Sequence, residues 1–71
     1  MNYKSKFCER FKRAVQESGL TLKELSETTD ISMTPLRRYT SDRVPKARAL
    51  FKICMALHVS ADYLLGLSDE R

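Results

Sequence analysis

Gly19-Leu20-Thr21-Leu22-Lys23-Glu24-Leu25 and Ile31-Ser32-Met33-Thr34-Pro35-Leu36-Arg37-Arg38-Tyr39 decide how this chain folds. In the first stretch, Thr21 precedes a helical run, so its hydroxyl is placed to accept a hydrogen bond from an orphan amide of the first turn. Glu24, three residues on, completes a capping box, and Leu20 pairs with Leu25 as a hydrophobic staple. In the second stretch the same pattern recurs, with Ser32 as cap and Ile31 stapled to Leu36. Pro35 falls in the first turn, where a missing amide costs little. The spacing therefore predicts one helix over 22–29 and another over 33–40, joined by Asp30-Ile31-Ser32 alone. Two helices across so short a turn outline a helix-turn-helix, with the motif spanning 21–40.

Outward from that centre, Phe7, Cys8, Phe11, Ala14 and Val15 recur at helical spacing and predict a first helix over 5–18, ended by Gly19 as a left-handed cap. Ser41 to Pro45 reads as a loop. Ala47, Leu50, Phe51, Cys54 and Leu57 form the predicted apolar face of a fourth helix over 46–57. The start pattern appears a third time as Val59-Ser60 with Leu64, predicting a fifth helix over 61–65 that ends near Gly66. Residues 68–71 are expected to fray. In the motif helices, Leu25, Thr29, Leu36 and either Tyr39 or Thr40 are expected to face inward. Short helices are unstable alone, so the first, fourth and fifth must build the core beneath the central pair.

The length, 71 residues, fits a single domain over 1–71. A chain this short buries a thin core, which argues against a deep pocket, so no small-molecule ligand is expected. No apolar run approaches the roughly 20 residues of a membrane span. The start, Met1 to Phe7, lacks a signal peptide's apolar segment, which points to a cytoplasmic protein with no membrane partner. Cys8 and Cys54 read as free thiols packed as small apolar residues, and His58, the one histidine, reads as structural. No set of metal ligands and no Gly-rich phosphate loop stands out, so neither metal nor cofactor is expected. Glu24 and Glu27 have no base, nucleophile or metal partner, which disfavours an enzyme. Tyr3, Tyr39 and Tyr63 do not form a strand platform for stacking RNA bases.

Charge is distributed unevenly. The net charge is +4, yet residues 37–52 alone carry +5: Arg37, Arg38, Arg43, Lys46, Arg48 and Lys52 against Asp42. Such a stripe is the footprint expected for a polyanion such as nucleic acid, with a solvated face as the competing reading.

These residues resemble the helix-turn-helix domain of Cro and phage-repressor type, also called the xenobiotic-response-element family. The similar stretch runs from Phe11 to Leu67 and includes the ending Leu57-His58-Val59-Ser60-Ala61-Asp62-Tyr63-Leu64-Leu65-Gly66. The resemblance implies an all-α, five-helix, lambda-repressor-like fold whose third helix reads double-stranded DNA in the major groove. It implies base-reading positions at Met33, Thr34, Arg37 and Arg38, which share a face at a spacing of four. The two arginines suit guanine O6 and N7 or phosphates, and Met33 and the Thr34 methyl suit thymine methyls. It places backbone contacts at Ser41, Arg43, Lys46 and Arg48, with help from the helix starts at Thr21, Leu22 and Ser32. It further implies a transcriptional regulator of repressor type, a palindromic operator, a homodimer and a phage or prophage setting. Tyr63, Leu65 and Leu67 are the candidate dimer surface, with intramolecular packing as the competing reading.

The chain departs from the family pattern at four places. Leu22 stands where the family usually has Gln, Asp30 and His58 where it has Gly, and Lys46 where it has a Ser cap. Leu22 beside Met33 is expected to make an exposed apolar patch. That patch motivates the alternative function, a protein-interaction module of antitoxin or anti-repressor kind.

Overall fold

The computed structural model describes residues 2–71. Its helices are α1 (Tyr3–Ser18), α2 (Leu22–Thr29), α3 (Met33–Tyr39), α4 (Ala47–Leu57) and α5 (Ala61–Leu65), and there is no strand among the described residues. α1 starts two residues before its predicted position because the Asn2 side chain accepts the Ser5 amide as an N-cap.

The caps explain most boundaries. Thr21 and Glu24 form the predicted capping box, with the Glu24 amide donating to Thr21 Oγ1 at 3.1 Å and the Thr21 amide to Glu24 Oε1 at 2.9 Å. Ser60 accepts from the Tyr63 amide at 3.0 Å. The expected hydroxyl cap at Ser32 is not made. In every other capped helix the cap's partner is the amide three residues on, and here that residue is Pro35, which has no N–H. The proline that suits the first turn thus frees the Ser32 hydroxyl.

Phe7, Phe11, Leu25, Leu36, Ile53 and Leu64 are fully buried and draw every helix into one core. α1 packs along α5, and α2 packs on both α3 and α4. The Phe7 and Phe11 rings, one turn apart, stack at 5.7 Å, and Tyr39 meets both edge-on at 6.4 and 6.1 Å. Thr29 is inward as expected, and of the pair Tyr39 and Thr40 it is Tyr39 that is buried.

The predicted face of α4 is corrected. Ile53 and Leu57 are buried and Leu50 and Cys54 half-buried, whereas Ala47 and Phe51 are exposed. Neighbouring stripes of this helix are both apolar, so periodicity alone does not choose between them. Packing against α2 and α5 selects the one that carries Ile53.

The tail makes contacts with α1 and α5. Arg10, 8% exposed, donates to the Tyr63 carbonyl at 3.1 Å, to the Ser68 carbonyl at 3.0 Å and to Asp69 at 2.8 Å. Arg71 pairs with Glu17, and Ser60 Oγ donates to the Glu70 carbonyl at 3.3 Å. Residues 68–71 therefore lie back along α1 and α5.

Asp30 (φ 60°) and His58 (φ 56°) hold the left-handed conformation at the ends of α2 and α4. A side chain there costs about 1–2 kcal/mol, partly offset by the greater freedom glycine loses on folding. His58→Gly is expected to stabilise the chain by about 0.5–1 kcal/mol, read as a higher urea midpoint. A lower midpoint would contradict strain at this cap.

Candidate nucleic-acid interface

The outward side of α3 carries Arg37 and Arg38, both exposed, in its last turn, and Thr34, exposed, in its first. Met33 is half-buried beside it. Leu36 and Tyr39 point into the core, so of the four predicted base-reading residues Thr34, Arg37 and Arg38 lie on the side of the helix away from it, and half-buried Met33 lies at its flank.

Beyond α3 the backbone turns tightly. The amides of Ser41, Asp42 and Arg43 all donate to the Arg38 carbonyl, at 3.0, 3.0 and 3.1 Å. The Arg43 carbonyl in turn accepts from the Cys8 thiol at 3.6 Å. Burial pushes the pKa values of Cys8 and Cys54 up, which keeps both as neutral thiols at pH 7 and Cys8 as a donor. Arg43 is thus fixed to the end of α3 on one side and to α1 on the other.

Arg43, Lys46, Arg48 and Lys52 line one groove between α3 and the start of α4, and no acidic side chain lines it. Lys46 makes no side-chain cap, so the first amides of α4 are not satisfied by the cap residue's side chain. Ser41 is exposed, its hydroxyl donating to the Arg38 carbonyl at 3.3 Å. Thr21 is exposed but its hydroxyl is engaged as a cap, whereas the Ser32 hydroxyl is exposed and uncapping.

Ion pairing separates the arginines into two groups. Arg10, Arg13 and Arg71 lie against Asp69, Glu9 and Glu17. Arg37, Arg38, Arg43 and Arg48, all within the +5 segment, have no carboxylate within 4.0 Å among the described residues. The free guanidinium groups therefore gather on α3, its loop and the start of α4.

Two expected surfaces differ from the structure. Leu22 is half-buried and packs against the core, and Met33 is half-buried, so the pair does not form the exposed apolar patch expected of it. Tyr63 is 4% exposed, with Arg10 over its ring at 4.5 Å and Arg71 at 5.4 Å, which removes it from any dimer surface. Leu65 is half-buried and Leu67 exposed. The apolar residues that sequence reasoning missed as surface are Phe51 and Met55, 66% and 63% exposed at positions one turn apart on α4. Their signal was the second apolar stripe of that helix.

Among the described residues no group of three or more His, Cys, Asp or Glu side chains is placed to hold a metal, and no helix is long and apolar enough to cross a membrane. No curated protein and no solved structure was found to match the chain. A family model described as helix-turn-helix does match, over residues 11–64, which takes in α2, α3 and α4, the second half of α1 and most of α5. With its all-α, five-helix, lambda-repressor-like order, the chain belongs to the helix-turn-helix family of Cro and phage-repressor type, a family of DNA-binding regulators.

Proposed function

We propose that this chain is a sequence-specific transcriptional regulator, repressor-like in action, that inserts α3 into the major groove of double-stranded DNA. The observation that carries this reading is that the arginines without a carboxylate partner among the described residues, Arg37, Arg38, Arg43 and Arg48, are all exposed and all fall on α3, its loop and the first turn of α4. A helix fits the width of the groove, and a second helix packed across it fixes its tilt. Met33, Thr34, Arg37 and Arg38 face base edges. Ser41, Arg43, Lys46 and Arg48, with the helix starts at Thr21, Leu22 and Ser32, hold the phosphates. The chain over 1–71 acts as one reading unit in the cytoplasm, with DNA as its partner and without a cofactor or small-molecule effector. It works in a phage or prophage setting.

Selection from a random duplex library, followed by a salt series, tests the reading. Affinity for the selected duplex falls steeply with salt, and Arg43→Ala weakens all duplexes alike while making the salt slope shallower by about 0.9. A wild-type affinity indifferent to salt contradicts the proposal.

A helix-turn-helix of this size covers one half-site, and two copies related by a two-fold axis read a palindrome. The homodimer on such an operator draws on the Phe51 and Met55 face of α4, the largest exposed apolar pair on one helix. The groove beside it carries Asp30 and Lys52, an acid and a base. Phe51→Glu is expected to shift sedimentation equilibrium toward monomer while the far-UV circular dichroism of the folded chain is kept, since the residue lies outside the core. A dimer that survives this change places the interface elsewhere.

A further inference from the structure

The surface of α3 has a restricted chemistry. From Met33 to Tyr39 the helix contains no Asn, Gln, Asp or Glu. Those side chains pair with adenine N6 and N7 or accept from cytosine N4. The nearest carboxylates, Asp30 and Asp42, lie beyond either end of the helix, one as the left-handed cap of α2 and the other in the loop beneath the Ser41 hydroxyl. What the helix turns outward is a β-branched methyl with its hydroxyl and two guanidinium groups free of carboxylates, with a half-buried thioether at their flank. Hydroxyl groups accept or donate equally and so discriminate little between bases.

On the DNA-binding reading above, we propose that α3 recognises only two features of the major groove. One is the 5-methyl group of thymine, met by Met33 and the Thr34 methyl. The other is the N7 and O6 edge of guanine, met by Arg37 and Arg38. Adenine and cytosine are specified solely as the partners of those bases.

The two features are ordered along the helix. Met33 and Thr34 stand in the first turn of α3, and Arg37 and Arg38 four residues later. Four residues rise about 6 Å along a helix axis, close to two base steps of about 3.4 Å. The methyl-reading end and the guanine-reading end therefore fall about two base pairs apart where the helix follows the groove. Apolar contact explains why a half-buried Met33 serves at one end. A methyl group needs contact area, not a charged partner, and removing it forfeits about 0.8 kcal/mol, or about fourfold in affinity.

Single-atom changes in the selected duplex test this. Each thymine is replaced in turn by deoxyuridine, which removes only the 5-methyl, and each guanine by 7-deazaguanine, which removes only the N7 acceptor. The expected result is a loss of about fourfold at one or two thymines per half-site. A loss of about fivefold or more is expected at one or two guanines. Met33→Ala and Thr34→Ser, which keeps the hydroxyl, abolish the response to deoxyuridine but not to 7-deazaguanine, and Arg37→Ala or Arg38→Ala does the reverse. Thermal melts by circular dichroism confirm that each variant is folded, and Thr34→Ser, the gentler change, carries the test if Met33→Ala does not fold. Selective binding that ignores both modifications overturns the inference and leaves the DNA-binding role standing. So does a selected adenine whose 7-deaza analogue costs affinity. Failure to bind any duplex selectively removes both.

Discussion

Phe11→Ala leaves most of the chain unfolded at physiological temperature. The ring is fully buried, stacked on Phe7 and met edge-on by Tyr39 at 6.1 Å. Truncating a buried phenylalanine costs about 3–5 kcal/mol through lost transfer energy and the cavity left behind. A core of this size supplies roughly 3–5 kcal/mol in all. The change therefore consumes the whole margin, and the far-UV circular dichroism signal in water already lies near its value in urea. Tyr39 closes α3, so the same substitution also loosens the helix that carries the free arginines. A urea midpoint close to wild type would show that the aromatic trio is not the keystone of this core.

Arg37→Ala and Arg38→Ala have the largest expected effects on binding. Both side chains are exposed and unpaired, so neither contributes an ion pair whose loss would unfold the chain. A bidentate guanidinium contact with guanine is worth about 1–3 kcal/mol, or about five- to a hundredfold in affinity. Each substitution is expected to weaken the selected duplex by that factor and to relax preference at one base pair, while the melting temperature holds. Titration against all single-base variants of the duplex separates the two roles. Selective relaxation marks a base contact, whereas a uniform loss makes that arginine a phosphate contact and leaves the other to read guanine.

The helix-turn-helix and its boundaries were legible because they rest on local chemistry. Thr21 with Glu24, and Ser60 with the Tyr63 amide, act within one turn of their own positions, and the observed helix limits follow them. The same local reasoning overreached at Ser32, where two favourable signals conflict: a cap hydroxyl needs the amide that Pro35 lacks. The stripes of α4 were not separable, because Ile53 and Phe51 are both apolar and only tertiary packing turns one inward. Least legible was Arg10. It appears in the sequence as a charge like any other, and its partners Tyr63, Ser68 and Asp69 lie more than fifty positions away. Those contacts bury an arginine, hold the tail and cover Tyr63, a candidate for the dimer surface in the sequence. On the candidate interface, composition located the cationic segment, but which arginines remain free depended on where each carboxylate came to rest.

The carbonyl of Arg38, shared by three amides of the loop beyond it, has a mechanical consequence. It ties the backbone of the proposed reading helix to the loop that carries Arg43, so the two move together when α3 meets a site. Compliance then falls to the duplex. Operators rich in easily deformed pyrimidine–purine steps near the loop should be favoured even where no side chain touches a base, because they bend to fit the joined pair at the lowest elastic energy.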